Sequence, residues 1–270
     1  MKIFLLKPFF AVCSHRTLLV QLIKRNIASR YKGHTFGILW TVIQPLVMLT
    51  VYTFVFSVVF KAKWGGSIAE SQGAFAIIMF CGMSLFNLFS ESVVSSCPLV
   101  INNPNYVKKI IFPLELLPIA QVTSTFIIGM AWILLLVLGV IVIFGQITWT
   151  ALFFPFLLIP LYLVSLGISF LVSSLTVYLR DVQYIINVLI QILFFLTPIF
   201  YPINAVPQKF RVFLLANPLT QLIEDGRKLL IFGETVNISN YCISLIISLI
   251  IFYSGYYWFL KVKKGFADVL

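Results

Sequence analysis

The sequence predicts an all-α integral membrane protein. It has six transmembrane helices, an N-terminal cytoplasmic interfacial amphipathic helix, and two short external helices between spans five and six. Three observations lead there. Of 270 residues, 61% are hydrophobic and 10% charged, a balance no ordinary soluble domain keeps. Uncharged stretches of the roughly 20 residues that cross a bilayer recur along the chain. The few cations gather in particular loops, as positive-inside sorting requires.

The first element is the interfacial helix, 17–33. Leu19, Ile23, Ile27 and Tyr31 recur every four residues and so share one face. Lys24, Arg25 and Lys32 lie off that face, where they reach water or phosphate, the pattern of a helix in the membrane plane. Arg30 falls about 20° from Ile23 on a helical wheel, inside the apolar stripe. A cation there either snorkels to the interface or meets a lipid phosphate, and the residues weigh the two evenly. Gly33 supplies a stop.

Six spans follow within one domain, 1–270: 38–60, 74–96, 113–144, 150–178, 184–201 and 238–260. Residues 116–179 carry no charge, but Gly145-Gln146-Ile147-Thr148-Trp149-Thr150 divides them. An even number of spans puts both termini on one side. On that side fall Lys2, Lys7, Arg16, Lys24, Arg25, Arg30, Lys32, Lys108, Lys109, Arg180, Lys261, Lys263 and Lys264, thirteen cations. The other side has six, Lys61, Lys63, Lys209, Arg211, Arg227 and Lys228. Both termini are therefore expected in the cytoplasm. The net charge of +11 reads as lipid anchorage rather than nucleic-acid binding. Residues 1–30 lack the uninterrupted apolar core of a cleaved signal peptide.

Several functions are disfavoured. Cys13 and Cys97 on the cytoplasmic side, and Cys81 and Cys242 within spans, suggest neither disulfide nor metal site. His15 and His34 have no carboxylate or cysteine partners nearby, so no metal is expected. No GxxxxGK[ST] phosphate loop occurs, so ATP hydrolysis by that route belongs elsewhere. Glu91 and Glu115, at cytoplasmic span ends, are the rare intramembrane carboxylates. An ion-coupled transporter needs such groups near the midplane. A membrane enzyme acting on polyprenyl phosphates would need an Asp/His cluster, which is missing.

Four segments can carry mechanism. In 97–113, Asn103-Pro104 can start a short helix that Pro113 limits. Bearing Tyr106, Lys108 and Lys109, it suits docking to a cytoplasmic partner, although spacing alone favours a plain anchored turn. Arg180-Asp181 at the next cytoplasmic turn reads chiefly as a pair of helix caps. In 198–236 one helix begins near Pro207. A second has Asn217 as N-cap, Pro218 first and Gly233 as stop, with Leu219, Leu222, Ile223, Leu229 and Leu230 on one face. Too short and charged to span, the pair should dip into or lie on the outer leaflet as a lid, with a surface hairpin as the alternative. Finally, Tyr52, Phe56 and Phe60 align at four-residue steps, and Phe194, Phe195, Phe200 and Tyr201 cluster. Such rings can stack on sugar faces, yet for any single ring lipid packing is the stronger explanation. Trp40, Trp64, Trp149 and Trp258 read as interfacial belt residues.

Together these motifs resemble the type-2 ABC exporter permeases. The resemblance runs from Arg30-Tyr31-Lys32-Gly33-His34-Thr35-Phe36-Gly37-Ile38-Leu39-Trp40, with Pro45, through Lys108-Lys109-Ile110-Ile111-Phe112-Pro113 and Leu117-Pro118. It continues with Arg180-Asp181, Thr197-Pro198-Ile199-Phe200-Tyr201-Pro202 and Asn217-Pro218. Only His34-Thr35 departs from the usual pattern. Within that family the chain is most similar to polysaccharide exporters, O-antigen permeases foremost, with capsule and teichoic-acid permeases as relatives. The resemblance implies a non-enzymatic permease of the bacterial inner membrane, without a cofactor of its own. It would form a homodimer on two copies of a cytoplasmic ABC ATPase that binds ATP and Mg. Spans one and five would line a channel through Tyr52, Phe56, Phe60, Phe194, Phe195 and Tyr201. Asn105, Tyr106, Val107, Lys108 and Lys109 would couple to the ATPase, which reverses the weighting from spacing. Pro207, Phe210, Asn217, Pro218 and Leu222 would belong to the external gate. The cargo would be a lipid-linked glycan, on undecaprenyl diphosphate in the O-antigen case. From charge placement, Arg25, Arg30 and Lys32 are expected to receive the diphosphate.

Overall fold

Several helix ends in this chain fall where the sequence supplies a cap or a proline or glycine, as at Gly145, Pro198 and Asn217. A computed structural model describes residues 7–32, 36–59, 72–108 and 112–270. Gly33, Phe60, Trp64 and Lys109, each given a role from sequence, lie outside the described residues, as do His34 and Thr35. Among the described residues there is no strand.

Two helices lead in, α1 (Lys7–Ser14), which the sequence reading did not anticipate, and α2 (Arg16–Tyr31). Helix α3 (Trp40–Thr53) contains Pro45 and continues as a π-helical turn, Phe54–Val59. Then come α4 (Gln72–Ser96), the single-turn α5 (Pro104–Val107) and α6 (Leu116–Phe144), which Gly145 ends at φ +73. A 3-10 turn, Trp149–Phe153, leads into α7 (Phe154–Tyr178), and Arg180-Asp181 turns the chain into α8 (Val182–Leu196). Helices α9 (Gln208–Ala216) and α10 (Pro218–Arg227) form a hairpin, followed by a π-helical turn Lys228–Phe232 and Gly233 at φ +68. Helix α11 (Ile238–Val262) and the short α12 (Phe266–Val269) close the chain.

Among the described residues, four segments are long and apolar enough to cross a membrane: Gly73–Ser96, Leu116–Phe144, Trp149–Tyr178 and Ile238–Val269. Two apolar helices are shorter, Trp40–Phe56 and Val182–Leu196. Here one expectation is corrected. The fifth apolar segment does not run to Tyr201, because Thr197 precedes Pro198 and leaves the helical region at ψ 137. At 15 residues α8 reaches about 22 Å, short of a hydrocarbon core of about 30 Å.

Helix α4 is the mast. Its apolar window is 83% buried, and α3, α6, α7, α8 and α10 all pack on it. Buried serines satisfy themselves within their own helices, as when Ser84 Oγ donates to Phe80 O at 2.8 Å. Ser169 instead donates across to Ser92 O at 3.2 Å, tying α7 to α4. The closest helix approach is α7 to α11, at Gly167 and Gly255. A Cβ on Gly167 would stand 2.6 Å from Ile251 O, and one on Gly255 would strike Gly167 O. Small residues drive such contacts in membranes, where burial from lipid adds little.

Gly255→Val should therefore force α7 and α11 apart and destabilise the chain by about 2 kcal/mol or more, read as thermal unfolding in detergent. Gly139→Ala meets only the mobile tip of Ile77 and should leave the transition near that of the wild type.

Candidate functional site

Three regions bring chemistry-bearing residues together, one at each end of α4 and one beside it. At the Glu91 end, α2 lies along α6 with Leu19 and Leu22 buried and Ile23 and Ile27 half-buried. Arg30, at the C-terminal end of α2, pairs through Nη1 with Glu91 Oε1 at 3.0 Å. Asn26 Nδ2 donates to Gln121 Oε1 at 3.2 Å, and Arg25 Nη1 donates to Tyr106 Oη at 2.8 Å. The Arg25 guanidinium also sits 5.5 Å from the Tyr106 ring centroid, and that ring stacks on Phe112 at 4.3 Å. Between α2, α3, α4 and α6 opens a polar cleft, with a main chamber of about 300 Å³. Lys24 and Lys32 are exposed outside it.

Beside α4, the rings expected along a channel gather into one cluster. Tyr52 and Phe56 of the α3 segment meet Phe200 at 5.4 and 4.6 Å, and Phe194 lies 5.1 Å from Phe200. Phe195 is exposed, while the Tyr201 hydroxyl donates to Phe195 O at 3.0 Å. Helix α8 buries none of its residues. Along it Gln183, Asn187 and Gln191 stand at four-residue steps, a polar stripe among Tyr184, Val188 and Ile192.

At the Ile78 end, the Asn217 side chain caps α10 by accepting from Leu219 N at 3.0 Å, and its amide donates to Thr197 Oγ1 at 3.0 Å. Leu219, Leu222, Ile223, Leu229 and Leu230 are buried, so the face read from sequence is the packed one. Arg227, counted from sequence among external loop cations, is instead fully buried. It donates to Pro198 O at 2.8 Å, Ile199 O at 3.0 Å and Ile78 O at 3.2 Å, and pairs with Glu224 at 2.7 Å. These acceptors explain the correction, because together with Glu224 they offset the cost of taking the guanidinium out of water. A Cβ on Gly82 would come within 2.8 Å of Arg227 Nη2, so α4 leaves room for it. The chain before α7 braces the same hairpin, with Thr150 donating to Leu229 O at 2.7 Å. Helix α9 lies outside, with Phe210 exposed and Arg211 donating to Val206 O and Asn204 O.

The family model described as ABC-2 type transporter matches residues 17–231, which contain all three regions. The chain belongs to the ABC-2 type transporter family. Among relatives, two proteins named O-antigen export system permease protein RfbA from Klebsiella pneumoniae are 26% identical over 258 residues, covering 94% of this chain and 95% of theirs. One of the same name from Myxococcus xanthus is 29% identical over 215 residues, covering 77% and 78%.

In this ABC-2 chain the structure brings some expected site residues together and separates others. Arg25 and Arg30 stand on one helix but engage different partners, and Lys32 points to neither. Within the expected coupling segment, Asn105 and Lys108 are exposed, whereas Tyr106 turns inward to Arg25 and Val107 is half-buried. Pro207 and Phe210 are exposed, Asn217 and Pro218 half-buried, and Leu222 buried. Trp40, Trp149 and Trp258 are exposed, but Trp132 is buried against Phe80. Sequence reasoning missed the Arg30–Glu91 pair, the burial of Arg227 and the α8 polar stripe. The stripe's spacing was visible, overshadowed by the aromatics; the other two depend on contacts far apart in sequence.

Arg227→Met should leave three backbone carbonyls without this donor and cost about 3–5 kcal/mol, read as a lowered unfolding midpoint and protease cleavage in 198–236. Arg227→Lys should recover little, because an ammonium lacks the planar fork.

Proposed function

We propose that this chain is the channel subunit of an ATP-driven exporter that moves lipid-linked polysaccharide from the cytoplasm across the bacterial inner membrane. The observation that carries the reading is the alignment with O-antigen export permeases over 94% of the chain. It works as a homodimer on two copies of a cytoplasmic ABC ATPase, which supplies ATP and Mg chemistry. The six apolar helical segments are its spans, α8 completing its crossing through the non-helical chain after Leu196 whose carbonyls Arg227 satisfies, and both termini face the cytoplasm.

The geometry supports a division of labour. At the cytoplasmic end, Lys24, Arg25 and Lys32 present cations where an undecaprenyl diphosphate headgroup would arrive. Asn105 and Lys108, exposed on the α5 loop, face the ATPase. Tyr106 links that loop to α2 through Arg25, so motion of the ATPase reaches the headgroup site directly. Helices α3 and α8 line the path. The amides of Gln183, Asn187 and Gln191 would be costly in lipid and are suited to sugar hydroxyls. The Tyr52, Phe56, Phe194 and Phe200 rings pack together, with Phe56 stacked on Phe200 and Phe194 edge-on to it, and close the path at rest. The α9–α10 hairpin is the external gate, hinged where Arg227 holds it to α4 and α8. An ion-coupled mechanism is disfavoured, because Glu91 and Glu115 are each engaged by a cation, Glu115 by Lys263 at 2.8 Å.

Lipid-linked glycan should stimulate ATP turnover of the purified complex. Lys108→Glu should abolish stimulation while the chain stays folded. Arg25→Glu should lower apparent glycan affinity about tenfold or more. Unchanged stimulation in both variants would contradict the reading. Orientation is checked in a chain with Cys81 and Cys242 replaced by Ser. Membrane-impermeant maleimide should label exposed Cys13 in inside-out vesicles and not in spheroplasts. Cys97 should stay silent in both near neutral pH. It is buried, and burial pushes its thiol up to about 11, so thiolate becomes abundant only as pH approaches that value.

A further inference from the structure

We infer that the cleft at Arg30 and Glu91 binds a neutral sugar, the one nearest the lipid diphosphate, while the diphosphate stays outside on the exposed cations of α2. The inference rests on the exporter reading above and specifies which part of the cargo each group recognises.

The first argument is charge. The cleft has two adjacent chambers of about 300 and 60 Å³, which share Arg30, Glu91, Thr125 and Ile128 as lining. Among the described residues that line them, Arg30 and Glu91 alone are charged, and at 3.0 Å they neutralise one another. A phosphate seated on Arg30 would lie against the Glu91 carboxylate, so the pair repels the ligand that Arg30 by itself would attract. Arg25, Lys24 and Lys32 have no carboxylate ion-paired with them among the described residues, and all three are exposed.

The second argument is the lining. Asn26, Gln44, Asn87 and Gln121 contribute amides, and Ser29, Ser95 and Thr125 contribute hydroxyls. Amides and hydroxyls both donate and accept, as sugar hydroxyls do. Carboxylate and guanidinium add charge-assisted bonds without net charge. Trp40, 44% exposed at the rim of the smaller chamber, offers an aromatic face to the apolar side of a pyranose ring. The larger chamber is at the small end of ligand sites, which suits one sugar rather than a polymer. Arg30 and Glu91 keep 35% and 36% of their side-chain surface open, so a ligand in the cleft can reach both.

The test uses the full chain in lipid nanodiscs and compares two probes, a polyprenyl diphosphate and the same lipid bearing one hexose. Wild type should bind the hexose-bearing lipid about tenfold tighter. Glu91→Gln leaves Arg30 uncompensated. The bare diphosphate should then bind several-fold tighter and the hexose preference should shrink to about threefold or less. The double variant Arg30→Gln/Glu91→Gln is neutral again and should regain the preference at weaker overall affinity. Circular dichroism checks that each variant is folded. Equal binding of both probes by wild type, or an unchanged ratio in Glu91→Gln, would overturn the proposal. Equal binding of a hexosyl diacylglycerol would assign the cleft to membrane glycolipid and overturn the cargo assignment. A hexose preference without ATP-driven transport would sink the exporter reading and leave the sugar site standing. Transport without the preference would do the reverse.

Discussion

The half of this molecule at the Ile78 end of α4 depends on how the broken end of α8 is satisfied. A membrane leaves no water for unpaired carbonyls, and Pro198 ends the helix while the chain is still among apolar neighbours. Arg227 answers that need from a different helix, donating to Pro198 O, Ile199 O and Ile78 O. A fully buried guanidinium is tolerable only with such acceptors, so each half of the arrangement requires the other. Because the acceptors sit on α4 and after α8, the interaction also fixes α10 against the mast. It places Phe200 where Tyr52, Phe56 and Phe194 can pack against it.

Helix α4 links this end to the polar cleft. Ile78 and Glu91 are thirteen residues apart on one continuous helix, about 20 Å. In the proposed exporter the two ends face opposite sides of the membrane, with the cleft meeting the cargo and the hairpin closing the exit. A rigid buried helix between them lets a shift of α2, driven through Tyr106 and Arg25, reach the gate without a chain of loops. In that proposal the motor belongs to the partner ATPase, and this chain contributes binding groups, a path and a hinge.

Local features were legible in the sequence. Asn217, Pro218 and Gly233 delimit their helical hairpin arm by capping, fixed φ and left-handed backbone, each a property of a few neighbouring residues. The apolar face of α10 was equally local. Thr197-Pro198 carried a clear break, yet the absence of charge through Tyr201 argued for a longer span, and hydropathy misled where backbone sterics decided. Arg227 could not be placed from sequence, because its acceptors lie 28, 29 and 149 residues away. Arg30 within an apolar stripe was visible as an anomaly, and Glu91 as a rare intramembrane carboxylate. Their pairing across 61 positions awaited the fold. Tyr106 looked like an outward docking residue because nothing nearby in sequence discloses Arg25.

The central claim is ATP-driven movement of lipid-linked glycan through a pore made by this chain. The most direct measurement is transfer of a radiolabelled, diphosphate-linked oligosaccharide across proteoliposomes holding this chain and its co-purified ATPase, with lumenal lectin capture as readout. The account predicts transfer that needs ATP and scales with the amount of complex. Transfer at the same rate without ATP, or driven by an ion gradient alone, would contradict it.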